Sequence, residues 1–170
     1  MARLPVMVAL VIHLVIGFVL IAVIVRSNPA IFARFTSGPQ VSKLEIFYYV
    51  VGVASVVLGY YFNNEYVQAY APPGGMHNFI WGPGSWSEFI ALGYANPAAA
   101  SASQDYTIMS LLIFPVFVVV DARRRGIKGS WLYCLLLLVT SSAFPWAFYL
   151  ATVERQRRHK LSEVEVASRA

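Results

Sequence analysis

Four segments of this chain are long and apolar enough to cross a lipid bilayer, and they constrain its fold more than any other feature. They cover residues 4–25, 44–62, 97–121 and 131–153. A membrane-spanning helix needs about 20 predominantly apolar residues, and lipid offers no water to satisfy an irregular backbone. Since only 12% of the residues are charged, the chain cannot cover a water-soluble globule with polar side chains. We therefore predict an all-α integral membrane bundle of four transmembrane helices, a single domain over residues 1–170.

The third of these helices gains its length from the motif Asn96-Pro97-Ala98. The apolar run from Tyr106 to Val120 is too short to cross a bilayer by itself. Asn accepts hydrogen bonds from the free amides of a first helical turn, and Pro at the next position loses none, so the motif predicts a helix from Pro97. Asp105 then lies about two turns inside that helix. The same motif at Asn28 predicts a short helix after the first span.

Residues 63–96 form a long capping loop between the second and third helices. The loop is rich in Gly, Pro and aromatic residues, and no Lys or Arg occurs from Asn63 to Asp105. Aromatic rings at this density favour the headgroup level of a membrane. Ser85 is a suitable cap for a short helix from Trp86 to Leu92. We expect the loop to fold over the bundle, with a mobile loop as the alternative.

Basic residues gather at the ends of the predicted spans, and the formal net charge is +5. This distribution lacks the basic face with interleaved aromatic rings of a nucleic-acid-binding protein, so we expect membrane lipids and no nucleic acid as partners. The positive-inside rule slightly favours a non-cytoplasmic N-terminus, because the capping loop has no basic residue. With four spans, however, that orientation leaves the basic tail, residues 154–170, on the non-cytoplasmic side.

Small residues and prolines predict how the helices pack. Gly52, Ser55 and Gly59 are spaced by three and four positions, so they share one helix face and favour close packing against a neighbouring helix. Pro115 and Pro145 interrupt the third and fourth helices, and we expect a kink at each.

Several motifs follow a set order from the capping loop onward: Asn96-Pro97-Ala98, Asp105, Asp121-Ala122-Arg123-Arg124, Gly126, Trp131, Phe144-Pro145 and Tyr149-Leu150. This order resembles a family of small bacterial multi-pass membrane proteins that is catalogued only as a domain of unknown function, with a match over about residues 45–155. The resemblance implies a helical membrane fold and supplies no reaction. The first span and the long glycine-rich loop look like additions to the family's pattern.

Three acidic residues are candidate catalytic groups in case the protein is an enzyme. Asp105 is expected inside the mouth of the bundle, where desolvation would raise its pKa and favour the protonated form that a general acid needs. Glu65 and Glu88 belong to the capping loop and would join Asp105 if the loop folds inward. The competing interpretation of Asp105, which we prefer, is a structural hydrogen bond between helices.

Five further residues are candidate binding groups. His13 falls near the middle of the first span, where a neutral imidazole can both donate and accept a hydrogen bond. His77, Trp81 and Trp86 lie in the capping loop, and Tyr106 lies near the mouth of the bundle. The three histidines are far apart and no Cys or His pair has metal-ligand spacing, so we assign no metal and no cofactor.

These features support three functions, in order of preference. The poverty of catalytic motifs favours a non-catalytic membrane component that associates with lipids or with a membrane-protein partner. The second is a small integral-membrane acid–base enzyme, an isomerase or cyclase, whose ligand is an apolar lipid or isoprenoid. The third is a small transporter that works through His13.

Overall fold

The computed structural model describes residues 3–72, 78 and 80–169, and every regular element within them is helical. This confirms the prediction of an all-α fold. A π-helical segment, Ile108–Ile113, joins α5 to α6 without a break. The α-helices are α1 (Arg3–Ser27), α2 (Pro29–Phe32), α3 (Lys43–Tyr70), α4 (Trp86–Gly93), α5 (Pro97–Thr107), α6 (Phe114–Arg125), α7 (Ser130–Val139) and α8 (Ala143–Arg169).

Three helices within the described residues are long and apolar enough to cross a membrane, and they correspond to the first three predicted spans. They are α1 with its apolar window Leu10–Ser27, α3, and the continuous helix Pro97–Arg125 that α5, the π-helical segment and α6 form together. The third begins as predicted, because Asn96 Oδ1 accepts a hydrogen bond from the Ala99 amide at 2.9 Å. The wider π-helical turns directly precede Pro115, whose ring and missing N–H disfavour a regular helix there.

The second span is longer than predicted, and the connection to the third is shorter. α3 begins with a capping box formed by Ser42 and Glu45 and continues past residue 62 to Tyr70. α4 follows with Ser85 as its N-cap, as predicted. We call residues 71–96 the lid; residues 73–77 and 79, and therefore the predicted binding residue His77, lie outside the described residues.

The prediction of one continuous fourth helix over residues 131–153 is wrong. α7 has only 10 residues, which span about 15 Å, or half the hydrocarbon thickness of a bilayer. The chain turns at residues 140–142, and α8 starts at Ala143. α8 also continues through the predicted tail to Arg169, so residues 154–169 are helical.

α7 and α8 form a helical hairpin, because their contacts pair residues in antiparallel order. Tyr133 Oη donates to Thr152 Oγ1 at 3.0 Å. Further along α8, Gln156 Nε2 donates at 2.8 Å to the carbonyl of Arg125, which precedes α7 in the chain. The first residue of α7 and the basic part of α8 therefore lie at the same end of the bundle.

The tip of this hairpin, residues 140–142, lies midway along the long helices. Ser141 Oγ is 2.7 Å from Ser55 Oγ, in the middle of α3. On the other side, Thr140 Cγ2 would be 3.4 Å from a Cβ built on Gly17 of α1. The hairpin therefore fills only one half of the length of the bundle.

Hydroxyl side chains and a proline separate α7 from α8. The amide and the hydroxyl of Thr140 both donate to the Leu136 carbonyl, at 3.0 and 2.6 Å, which satisfies one of the last carbonyls of α7. Ser141 Oγ accepts a hydrogen bond from the Phe144 amide at 3.2 Å. Pro145 falls in the first turn of α8, where a missing N–H removes no helical hydrogen bond. The expected kink at Pro145 is therefore the start of a new helix.

The hydrophobic core lies in the half of the bundle that the hairpin fills. We call this the basic half and the other half, between the hairpin tip and the lid, the lid half. The junction of α1 and α2 closes the basic half, because the Asn28 side chain bonds both backbone groups of Lys128, at 2.8 and 3.0 Å. The large apolar side chains that are fully buried in this core include Ile24, Phe114, Val118, Tyr133, Leu136 and Tyr149.

Candidate functional site

A partly open cavity of about 1010 Å³ occupies the lid half of the bundle, and several of its lining side chains, such as Trp86 and Tyr106, are exposed. Its floor is the hairpin tip, its walls are parts of α1, α3 and α5, and its roof is α4 with neighbouring residues of the lid. The space exists because α7 turns back at residues 140–142. A fourth crossing helix, as the sequence predicted, would have filled it.

Hydroxyl groups and backbone carbonyls form the floor of the cavity. Ser55 Oγ donates to the Gly52 carbonyl at 2.8 Å and lies 2.7 Å from Ser141 Oγ. Tyr60 Oη donates to the Val139 carbonyl, near the end of α7, at 2.7 Å. The Tyr60 hydroxyl thus satisfies one of the last carbonyls of α7, which has no partner within its own helix.

The predicted packing face of α3 contacts the hairpin, and close packing is confirmed at Gly52, whereas Ser55 and Gly59 line the cavity. A Cβ on Gly52 would lie 3.2 Å from Ala147 Cβ and 3.3 Å from the Phe144 ring, tighter than ordinary contact. At Gly59, about two helical turns nearer the lid, the atom nearest to a Cβ would be Ser141 Cβ at 3.8 Å. The face is therefore closely packed at Gly52 and opens into the cavity at Gly59.

The roof is joined to α3 through Glu88 in α4. Tyr66 Oη and the Gly84 amide both donate to Glu88 Oε2, at 2.9 and 2.7 Å. The Phe89 ring meets the Tyr66 ring edge-on, with centroids 5.5 Å apart. Gly84 has a φ of +73°, and a Cβ there would lie 2.8 Å from Ala71 Cβ, so this position requires glycine.

The lining of the cavity is polar in places but holds no Asp, Glu, Lys or Arg among the described residues. Its polar groups are hydroxyls, the amides of Asn63 and Asn64, and the imidazole of His13. Aromatic and aliphatic side chains provide the rest of the surface. An uncharged molecule can bind to such a lining without removing a charged side chain from water.

Three of the five predicted binding residues line this cavity, namely His13, Trp86 and Tyr106. Trp81 is 69% exposed and lies outside the lining. The structure thus brings side chains from α1, α4 and α5 to one place, although they are far apart in the sequence.

The three predicted catalytic acids lie outside the cavity lining. Asp105 is exposed on α5 and accepts a hydrogen bond from Gln104 Nε2 at 2.6 Å. Glu65 is exposed on α3, and Glu88 joins the lid to α3 through its hydrogen bond with Tyr66. Within the described part of the chain, no hydrogen bond joins two of these acids and no group of three His, Cys, Asp or Glu residues could hold a metal ion.

Sequence reasoning missed an ion-pair cluster that closes the basic half. Glu45 is completely buried, and its carboxylate accepts from Arg155 Nη1 at 3.2 Å and from Arg158 Nη1. Arg155 also donates to the Ala33 carbonyl at 2.8 Å, and the Arg158 guanidinium lies over the Phe35 ring. The sequence signals only the cap at Glu45, because its arginine partners are more than 100 positions away.

The core closes the bundle below the hairpin tip, so the cavity ends there. The Tyr133 and Tyr149 rings meet edge-on with centroids 5.2 Å apart. Tyr149 Oη donates to Asp121 Oδ2 at 2.8 Å, and Arg125 Nε donates to the same oxygen at 2.6 Å. Asp121 is therefore charge-compensated by Arg125, four positions further along the same helix.

The fold and the cavity define a small all-helical protein that combines three helices of membrane-spanning length with a helical hairpin reaching half as far. The chain belongs to the family described as Protein of unknown function DUF2834, whose model matches residues 47–155. This confirms the resemblance that the order of motifs indicates. The match includes the lid and most of the hairpin and leaves α1 outside. No curated protein and no solved structure matches the chain.

Proposed function

We propose that this protein is a non-catalytic membrane component that binds one lipid-like small molecule in the cavity of its lid half. The observation that carries the proposal is a large, partly open cavity with an uncharged lining of mixed polarity, in a chain whose helices are long and apolar enough to span a membrane. Small-molecule sites are commonly cavities of about 300–1,000 Å³ with apolar walls and a few placed polar groups. A lipid or isoprenoid tail fits that description.

Binding is favoured over conduction because the cavity ends at the hairpin tip. The basic half below it is occupied by fully buried side chains such as Phe114, Tyr133 and Leu136. A transporter working through His13 needs a second arrangement of these groups to open a path. The closed core supports a site that holds its ligand.

Binding is also favoured over acid–base catalysis. A general acid must reach the reacting atom of its substrate within hydrogen-bond distance. Asp105 and Glu65 are exposed and outside the lining, and Glu88 is engaged by Tyr66 and the Gly84 amide.

We further propose that the N-terminus and the lid lie on the non-cytoplasmic side. A hairpin in place of a fourth crossing helix puts the tail on the same side as the other basic segments. That side then holds Arg26, Arg34, Lys43, Arg123, Arg124, Arg125, Lys128, Arg155, Arg157, Arg158 and Lys160. The positive-inside rule, which conflicts with four crossing helices, then supports one orientation.

Cysteine labelling in intact cells tests the orientation and the hairpin together. In a Cys134→Ser background, Ala95→Cys reports on the lid and Ala167→Cys on the end of α8. We expect a membrane-impermeant maleimide to label the first in intact cells and the second only after permeabilisation. Labelling of both from one side would restore a fourth crossing helix, whereas the opposite pattern would reverse the orientation.

Ligand identification tests the binding function. The protein is purified in a mild detergent, and its bound lipids are identified by mass spectrometry. Ala102→Trp adds bulk to the cavity wall, and Ala98→Trp makes the same change one turn away, outside the lining. We expect one molecular species at about one copy per protein in the wild type and in Ala98→Trp, and its loss in Ala102→Trp. A mixture of bulk lipids that neither variant changes would refute the proposal.

A further inference from the structure

We infer that the ligand of the cavity is an uncharged amphiphile, a long-chain alcohol of the isoprenoid type, whose hydroxyl group binds the hairpin tip. The inference rests on the proposed function, since it requires that the cavity holds a ligand. It adds the chemistry of the ligand's head and the place where that head docks.

The hydrogen bonds of the floor show which groups remain for a ligand. The hydroxyl protons of Ser55 and Tyr60 are directed at backbone carbonyls. Since the Ser55 proton is used, the short contact between Ser55 and Ser141 assigns the Ser141 proton to Ser55 Oγ. Each of these oxygens keeps a lone pair, so the floor can accept a hydrogen bond from a ligand.

The floor also offers donors. Ser142 lines the cavity, and its hydroxyl bonds no other described residue. The first amides of α8 have no partner inside the helix, and among them Phe144 N is capped by Ser141. A ligand group that both donates and accepts, as a hydroxyl does, matches this surface better than a ketone or an ether.

The charge of the head follows from the electrostatics of the tip. The negative end of the α7 dipole and the positive end of the α8 dipole meet at residues 140–142, so their fields largely cancel. No Lys or Arg of the described chain lines the cavity. A phosphate head would be taken out of water there without a counter-charge, so the site selects against anionic lipids.

The walls above the floor suit a hydrocarbon tail. Leu10, Val67 and Ala102 contribute aliphatic surface, and Trp86, Phe89 and Tyr106 contribute rings toward the roof. A tail lying in this direction points from mid-membrane to the lid. The head is then the deepest part of the bound molecule.

The test compares three probes with the same chain and different heads: geranylgeraniol, geranylgeranyl phosphate and the corresponding hydrocarbon. The protein is placed in phosphatidylcholine nanodiscs and labelled with a photoreactive diazirine analogue of geranylgeraniol. Each probe then competes for labelling. We expect the alcohol to compete at a concentration at least about tenfold lower than the phosphate or the hydrocarbon. A factor of this size corresponds to the hydrogen bond that the alcohol makes with the floor and the other two probes do not.

Ser142→Ala removes a floor hydroxyl that the hairpin turn does not use. We expect it to weaken competition by the alcohol about three- to tenfold and to leave the hydrocarbon unchanged. Ser101→Ala is the matched control, because Ser101 is exposed on α5 and outside the lining.

The outcomes separate the two proposals. Equal competition by all three probes, abolished by Ala102→Trp, would overturn the docked hydroxyl and leave a lipid-binding cavity. Stronger competition by the phosphate would overturn the neutral head. Absence of specific labelling, together with no defined lipid in the purified protein, would refute the proposed lipid-binding function and, with it, the docked hydroxyl.

Discussion

The basic half and the lid half of this bundle are built from the same long helices, yet they differ in packing and in charge. The basic half has a buried carboxylate with two arginine partners and a core of side chains without solvent exposure. The lid half has a cavity, a floor of hydroxyls and no charged lining within the described residues. The hairpin accounts for the difference, because it adds two helices to one half and none to the other.

This difference indicates that the stability of the fold depends mainly on the basic half and ligand binding on the lid half. Close packing at Gly52 and ion pairing at Glu45 hold the first half of α3 against α8, so the lid half does not need a filled interior to keep the helices in place. Substitutions in the basic half should therefore lower the free energy of unfolding. Substitutions that line the lid half should change ligand binding instead.

The largest effect is expected from Glu45→Ala in the basic half. The change leaves Arg155 and Arg158, whose side chains are 11% and 14% exposed, without their buried carboxylate. Breaking a buried ion pair by removing one partner costs about 3–5 kcal/mol. We expect a loss in that range in the free energy of unfolding, measured by denaturation with SDS in mixed micelles.

Glu163→Ala is the control for this substitution, since Glu163 is an exposed carboxylate on the same helix as the two arginines. It should leave the free energy of unfolding nearly unchanged. If Glu45→Ala costs less than about 1 kcal/mol, as for a surface ion pair, the cluster does not anchor the basic half.

The second prediction makes the same change in both halves. Gly52→Leu forces a side chain against Ala147 and Phe144, and overpacking of this kind costs about 1–3 kcal/mol. Gly59→Leu meets only Ser141 at ordinary contact distance and faces the cavity. We expect Gly52→Leu to lower the free energy of unfolding while Gly59→Leu mainly weakens lipid binding. Equal losses of stability would show that α3 is packed equally closely at Gly52 and at Gly59.

The third prediction compares one hydrogen bond in each half. Tyr133 Oη donates to Thr152 Oγ1 within the core, and Tyr94 Oη lies 2.8 Å from Thr107 Oγ1 on the exposed lid side. Tyr133→Phe should cost about 1 kcal/mol of unfolding free energy, because a buried acceptor loses its donor. Tyr94→Phe should cost less, since water replaces the lost partner. The comparison fails if the exposed bond proves the more costly to remove.

Local signals in the sequence predicted much of the fold. Asn96 and Ser85 cap the helices that begin after them, and the first three apolar segments are spans of sufficient length. These features depend on residues within one or two turns of each other. A single sequence carries such information directly.

The hairpin and the cavity depend on contacts that no local pattern contains. Thr140, Ser141 and Pro145 are compatible with a kinked helix as well as with a turn between two helices. The choice is made by distant partners, such as Ser55 for the tip and Glu45 for α8. The same holds for the site: His13, Trp86 and Tyr106 meet only because the hairpin leaves room between their helices.

The smallest predicted effect concerns acid stability at the basic end, where Glu154 is paired with Arg157. The Arg157 guanidinium donates from Nε at 2.8 Å and from Nη2 at 2.9 Å, and this holds the pKa of the Glu154 carboxyl below its ordinary value of 4.5. A lowered pKa means that the folded protein favours the charged carboxylate. The contribution to stability is therefore complete above pH 4.5 and is lost as the pH falls through the lowered pKa.

We expect the free energy of unfolding of Glu154→Gln to fall less than that of the wild type when the pH is lowered below 4.5. The effect should be small because Arg157 is largely exposed and solvent screens the pair. Denaturation midpoints measured across this acid range for the wild type, Glu154→Gln and the exposed control Glu163→Gln give the comparison. Parallel curves for the wild type and Glu154→Gln would mean that this pair adds nothing to the basic half, and that the buried cluster around Glu45 anchors α8 without it.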